Sequence, residues 1–595
     1  MRTFLAFKYH EEITDSEIDA ALSRVKNHYY NPENLNLELN TRGVSNKTIG
    51  AYVIDLKETS LKWPSIYEEK GDYLITYSPP SNWKEYSKTG VIENGPKELL
   101  SHILGNKYED NIFSAPTCFA VFSNDKSEMN IYTDSIGFTR LYEYHGEKGV
   151  FWSNRPGVLP LLANEKAEMS KDGWSSLAAI GWFGSNSSPI EGVTRIDPGI
   201  AIQAHAKLDK PRNQIDYGAF NSLISYRPQS SLNYKEIAEN MRNTLDSYQD
   251  LWDVPYTVDL SGGKDSRICA ATAISAGIEN ITFRTIANYD DELEVAKSLL
   301  NKVNQTHNHM IINPLSQIDE KEKILRKKPI KDRMKLYFLN TDGDCTPAVV
   351  QNNVTEKMIY SKTKKIKVAG VLGNIAKPFY LNSYKQVEKF SKLKNDAAFE
   401  KLKLSLFKYE AVSENANKRA IGLVKSQLQK GKGMGINGTK LLDYFSLVDY
   451  GRRWPPQGNL IDSFSIFYSN ELIKQSMNMT TEERMEYKFF TGVTKYLVPE
   501  WENQEYFKLS IEKDERSNKK MRLWQTSDKD DIEGILKRPK LWNEYFDENK
   551  LKQLWENAKI DNLGIYTNAI EKLFYRVIMI AHFEEYLEDL NSGIS

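Results

Sequence analysis

Cysteine is nearly missing from this 595-residue sequence: Cys118, Cys269 and Cys345 are odd in number, far apart and form no Cys-x-x-Cys pair. That excludes a disulfide framework and a cysteine zinc site as organising features. Long apolar runs are lacking too. No stretch approaches the roughly 20 apolar residues that cross a bilayer, and the opening Met-Arg-Thr-Phe-Leu-Ala-Phe-Lys lacks the apolar core of a signal peptide. Charge of one sign is also lacking. The formal net charge of −1 gives no global attraction for nucleic acid or an anionic membrane. Local basic runs such as Lys362-Thr363-Lys364-Lys365-Ile366-Lys367 lie among mixed charges and read as solvated faces. These absences leave a cytoplasmic enzyme as the expectation, with neither nucleic acid nor membrane as partner.

What is present is ordinary for a globular chain: 40% apolar and 27% charged residues, enough for two or more domains with cores of their own. Residues 1–210 read as short strands and turns. Cys118–Phe122, Met129–Tyr132, Leu141–Tyr144 and Val150–Trp152 are aromatic or β-branched runs, the last two following Gly137 and Gly149, and they predict an antiparallel assembly. A polar stretch follows, and we place a linker at 211–235. From 236 to 595 the pattern changes. A helical stretch at about 234–250 leads to strand Tyr256–Leu260, a glycine turn and a helix over Asp265–Ala276. Strand Ile281–Ile286, helix Asp291–Val303 and strand His309–Ile312 follow, and Val368-Ala369-Gly370 ends another strand. This alternation predicts a doubly wound parallel sheet with crossover helices. From about 385 the chain reads as a helical extension.

The chemistry-bearing segment is Leu260-Ser261-Gly262-Gly263-Lys264-Asp265-Ser266, between an apolar strand and a helix. Two glycines let the backbone curl around phosphate oxygens and present several N–H groups. The helix start adds its positive dipole end. Ser261 and Ser266 can donate hydroxyls to pyrophosphate, and Asp265 can hold Mg²⁺ bridging the phosphates. Lys264 faces either phosphate or solvent. A glycine turn capped by Ser and Asp is also a common helix start, but the whole motif after an apolar strand favours an ATP site. Cys269 falls inside the packed helix as a core residue. Some twenty residues on, Phe283-Arg284-Thr285-Ile286 ends a strand where an adenine or ribose contact lies in a doubly wound sheet, with Thr285 as the contact. Asp290-Asp291-Glu292 reads first as a helix cap. His307 and His309 read as packing or hydrogen-bonding residues.

These features resemble the asparagine synthetase superfamily, which couples cleavage of ATP to AMP and pyrophosphate with amide formation. Asp134-Ser135-Ile136-Gly137-Phe138-Thr139-Arg140-Leu141-Tyr142 and Phe151-Trp152-Ser153-Asn154 are similar to segments of that family's amidotransferase domain, and Gly192-Val193-Thr194-Arg195-Ile196-Asp197-Pro198-Gly199 to its closing segment. Arg452-Arg453-Trp454 and Lys495-Tyr496-Leu497-Val498-Pro499 occupy the region of its substrate-binding helices. The resemblance implies an α/β protein: an N-terminal, antiparallel β-rich amidotransferase-like (Ntn-type) domain and a C-terminal adenine-nucleotide α-hydrolase-like (PP-loop) synthetase domain. Two departures matter. Glutamine-using members have a cysteine at position 2; here it is Arg2, so no thiolate is available there and glutaminase activity is not expected. The family's Gly-x-Gly-Gly-Asp-Glu segment, a second source of Mg²⁺ ligands, is here Gly370-Val371-Leu372-Gly373-Asn374-Ile375. Gly370 is then a nucleotide contact, Asn374 an uncharged metal ligand, and Asp342 or Asp344 an alternative ligand.

The resemblance implies, with ATP and Mg²⁺, adenylation of a substrate carboxylate followed by attack of an amine. Lys495, Lys377 and Arg453 are candidates for a cation at the developing charge. Tyr444 or Tyr450 with Asp443 or Asp449 are candidates for a tyrosine–acid base pair. Without a glutaminase the chain is similar to β-lactam synthetases and lasso-peptide cyclases, and a peptide carboxylate is an expected substrate, with a precursor peptide and a companion protease as partners. Ammonia-dependent amidation of a small acid or sugar acid, and a non-catalytic nucleotide-binding scaffold, stay open beside it.

Overall fold

A computed structural model describes residues 2–594 except 32–34, 58, 106–111, 124, 126, 208–211, 217, 226–231, 288, 313–327, 352–353, 394–395, 454–462, 508–521 and 561–566. Parts of the expected linker, and Trp454, therefore lie outside the described residues, as does the side chain of Arg453.

Among the described residues, twelve strands form between Arg2 and Asp216: β1 (Arg2–Tyr9), β2 (Leu39–Ser45), β3 (Ile49–Leu56), β4 (Ile66–Glu69), β5 (Asp72–Ser78), β6 (Cys118–Ser123), β7 (Glu128–Thr133), β8 (Tyr142–His145), β9 (Gly149–Ser153), β10 (Val193–Arg195), β11 (Ile200–His205) and β12 (Asn213–Asp216). They make two six-stranded antiparallel sheets, in the orders β10-β8-β9-β1-β3-β2 and β12-β11-β7-β6-β5-β4. Alternation along β1 shows why they stack. Phe4 and Ala6 share a buried cluster with Ala120, Ile131, Trp152 and Ile202, strands of both sheets, whereas Leu5, Phe7 and Tyr9 share the other core with Ile18, Leu22 and Val25 of a helix. That helix, α1 (Asp15–Tyr29), opens with a Thr14/Glu17 capping box, Thr14 N donating to Glu17 Oε2 at 2.8 Å. Cys118 lies in the cluster between the sheets, and burial pushes its thiol well up.

The second half is built on a parallel sheet of β13 (Tyr256–Asp259), β14 (Ile281–Ile286), β15 (His309–Ile312), β16 (Ile366–Ala369) and β17 (Ser463–Ser465). Its order is β15-β14-β13-β16-β17, every neighbour parallel. The chain moves outward from β13 to β15 and then returns to the other side of β13, so the order reverses between β13 and β16. The crevice at the carboxyl ends of those two strands is where open α/β sheets take ligands. Helices α2 (Lys264–Ser275) and α3 (Asp290–Lys302) follow β13 and β14, and from Tyr384 the described chain is mostly helical, ending in α4 (Thr567–Ser592). The expected fold class is thus present: antiparallel β-rich first, then a parallel α/β sheet with a helical extension. Among the described residues no helix is long and apolar enough to cross a membrane.

Candidate phosphate-binding site

β13 ends at Asp259, and the backbone of Leu260 extends its pairing by donating to Arg284 O at 2.9 Å. The chain then closes on itself: Ser261 N donates to Ser266 Oγ at 3.0 Å, the two serine hydroxyls are 2.8 Å apart, and Gly263 N donates to Ser261 Oγ at 3.1 Å. The serines thus shape the turn that starts α2. Gly263 is its N-cap with no side-chain cap, so the first-turn N–H groups have no capping side chain. Phe507 backs the other side, its N–H donating to Gly262 O at 2.9 Å. Glu292, from the first turn of α3, hydrogen-bonds Ser261; burial raises this carboxyl's pKa and that bond opposes the rise. The acidic cluster lies in the first turn of its helix, whose N-cap is Tyr289 with no side-chain cap bond, so the expected cap is not formed and Glu292 reaches the loop instead.

The facing wall comes from the chain after β16. A Cβ on Gly370 would lie 2.8 Å from Asp265 Cβ, and one on Gly373 2.5 Å from Asp265 Oδ1, so these two positions are glycine because the aspartate fills the space. Leu372 turns the chain there in the left-handed region, φ 68°, a conformation costing roughly 1–2 kcal/mol for a residue with a Cβ. Asp265 Oδ2 accepts an ion pair from Lys377, while Asp265 Oδ1 is buried with no hydrogen-bond partner.

The other sequence-derived candidates scatter. Thr285 is fully buried; its hydroxyl donates to Leu260 O at 2.7 Å and lies 2.8 Å from His309 Nε2, so it braces the strand below the loop. Lys264 turns to an aromatic pair, its Nζ 4.0 Å from the Tyr487 ring centroid and 5.1 Å from that of Tyr506. Lys495 is half exposed and paired with Glu502 at 2.6 Å. Tyr444 and Asp449 do not form a pair: the buried Tyr444 hydroxyl accepts from Gln427 Nε2 at 2.8 Å, while Asp449 accepts from Trp182 Nε1 and from Ser185 N at 2.7 Å. Asp443 lies 3.4 Å from both Lys440 and Arg484, and Tyr450 packs edge-on against Trp182. Asp342 and Asp344 are not loop ligands. Asp342 holds Arg155, Tyr29 and Tyr586, and Asp344 accepts from the Tyr142 hydroxyl, all at the seam between the two halves. Arg452 is buried at that seam as well, donating to Gly137 O at 2.9 Å and Ile196 O at 2.6 Å.

A protein-held Mg²⁺ calls for one or two carboxylates beside the phosphates. Of the two that reach the loop among the described residues, Asp265 is paired with Lys377, while Glu292 is engaged by Ser261 and pushed toward its neutral form by burial, so neither fits as a protein ligand for the ion. Asn374 donates its amide N–H to Ser446 Oγ at 2.7 Å, and Ile375 is apolar and buried. Among the described residues no three His, Cys, Asp or Glu side chains converge as a metal cluster. In the first domain Arg2 begins β1, buried, with Nε 3.0 Å from Asp55 Oδ2 and Nη1 donating to Tyr77 O at 3.0 Å.

In comparison with known proteins, no family model and no curated sequence matches this chain. Among solved structures, glutamine phosphoribosylpyrophosphate (PRPP) amidotransferase from B. subtilis, complexed with ADP and GMP, aligns at 10% identity with a TM-score of 0.23. The alignment covers 48% of this chain and 65% of that one, just under two thirds of its length, and at this likeness says nothing of activity.

Proposed function

We propose that the chain is an ATP-dependent ligase that forms amide bonds by adenylating a carboxylate. One observation carries the reading: the loop from Ser261 to Ser266 sits at the carboxyl end of the strand where the parallel order reverses, at the start of α2. A substrate carboxylate oxygen attacks the α-phosphorus of ATP, and the bond from that phosphorus to the bridging oxygen breaks. Pyrophosphate leaves with the electron pair, its charge met by loop N–H groups and the helix dipole. An amine then attacks the acyl carbon, gives up a proton to a base, and AMP departs. Lys495, Tyr444 and Asp449 are engaged by other partners, so none of these steps is assigned to them.

Arg2 narrows the nitrogen source: with a buried, paired arginine in place of a thiol, the amine comes from the substrate itself or from free ammonia. Macrolactam closure of a peptide, with a precursor peptide and companion protease as partners, is the finer reading; amidation of a small acid is its rival. Exchange of labelled pyrophosphate into ATP, with peptides bearing an Asp or Glu side chain and with small acids, tests this. Carboxylate-dependent exchange is the expected result. The Asp265–Lys377 pair favours one second reading, binding of nucleotide without turnover, which predicts ATP binding and no exchange with any acid.

A further inference from the structure

We propose that Lys377 supplies the positive charge of this phosphate site in place of a protein-held metal, so that the loop takes a pyrophosphate group without a divalent cation. The inference rests on the loop's reading as a phosphate site.

Among the described residues, four other cations near the loop are engaged by protein partners, Arg267 partly through the loop's own Gly262 O at 3.5 Å. Arg267 donates to Glu505 O at 2.7 Å and to Gln504 O, its guanidinium 3.9 Å from the Tyr506 ring centroid. Arg284 and Lys367 both pair with Asp259, at 2.5 and 2.9 Å. Lys264 lies over Tyr487 and Tyr506. Lys377 alone of these five is held on the loop's own carboxylate. It follows directly on the short helical turn Gly373–Ala376, and its ammonium is 5.5 Å from the Phe490 ring centroid, so both ends of the side chain are constrained.

Asp265 is wedged between two glycine faces and that ammonium, which fixes the pair at the mouth of the crevice. An ammonium has three donors, so Lys377 can keep Asp265 and still donate to phosphate oxygens. A divalent ion at Asp265 would sit within a few ångströms of the ammonium, and like charges at that spacing oppose its binding. The uncharged Asn374 and apolar Ile375 follow from the same logic: where a lysine carries the charge, no carboxylate is needed on the wall facing Asp265.

Titration calorimetry of the full chain with inorganic pyrophosphate and with ATP, each in EDTA and in excess Mg²⁺, tests this. The expected result is binding in EDTA that Mg²⁺ does not strengthen. Lys377→Met should weaken it roughly ten- to hundredfold, the range for a lost charge-assisted hydrogen bond. Lys377→Arg should recover most of the loss, and its recovery excludes misfolding as the cause. Binding that appears only with Mg²⁺ overturns the inference and leaves the ligase reading standing. Binding in EDTA that is unchanged in Lys377→Met overturns the role of the lysine. Absence of binding under every condition overturns the reading of the loop itself.

Discussion

Arg155 and Asp342 form a buried ion pair across the seam of the molecule, with Arg155 Nη2 2.9 Å from Asp342 Oδ1 and Nε 3.2 Å from Oδ2. Tyr29 from α1 and Tyr586 from α4 donate their hydroxyls to the same Oδ1, at 2.8 and 2.7 Å, and the Arg155 guanidinium lies 3.9 Å from the Tyr29 ring centroid. Removing one partner strands the other charge in a low-dielectric interior, which costs about 3–5 kcal/mol. Asp342→Asn should therefore lower unfolding stability by that amount in urea denaturation. A change under about 1 kcal/mol, the range of an exposed pair, would show that the seam does not depend on this contact.

This pair also marks where sequence reading stops. The ends of Ile281–Ile286 and His309–Ile312 coincide with the strands found, because apolar runs bounded by polar turns are local signals. The serine–glycine loop was legible for the same reason: its hydrogen bonds close within six residues. The capping box of α1 was local too, yet its helix was hidden in a region read as strands. Asp342 and Asp344 looked like spare metal ligands because their partners lie about 200 or more residues away, and nothing near Thr341-Asp342-Gly343-Asp344 announces Arg155 or Tyr142. Likewise β17 is Ser-Phe-Ser, three residues without a strand pattern of their own; pairing with Lys367–Ala369 makes them a strand.

Gly370 offers a steric test of the loop. An added Cβ would meet Asp265 Cβ at 2.8 Å, and a fully formed wall cannot yield without moving the aspartate. Gly370→Ala should cost about 1–3 kcal/mol and weaken ATP binding. Gly422, inside the helix Glu414–Gly433 with open space around its missing Cβ, is the control. Gly422→Ala should stabilise by roughly 0.5–1 kcal/mol with ATP affinity unchanged. Equal ATP affinity in both variants would separate Gly370 from the site.

A pH signature is expected from His28 on α1. Burial, reinforced by Arg155 and Lys335 and opposed by Asp342 and Asp589, pushes its pKa down to about 4. The unfolded chain protonates this imidazole near 6.5, the folded chain only near 4, so between those values the unfolded state binds more protons. Stability from this group is therefore full above pH 6.5 and is lost as pH falls toward 4. Discounted for partial exposure, the loss is on the order of 1–2 kcal/mol. His28→Gln should flatten the stability profile in that window, measured by urea midpoints at several pH values; an unchanged slope would assign the pH dependence to other groups.

Asp265 tests the proposed chemistry most directly. In Asp265→Ala the carboxylate that holds Lys377 is gone, while the serine hydrogen bonds that shape the turn stay in place. The ammonium then loses its anchor beside the leaving pyrophosphate, where preorganised charge contributes most to an acyl-adenylation step. Pyrophosphate exchange into ATP should fall roughly 100-fold or more, the scale of losing one preorganised stabilising group. Thermal unfolding should change little, because Asp265 is partly exposed and its ion pair is not deeply buried. Full exchange activity in this variant would remove the loop from the reaction and with it the assignment of a ligase.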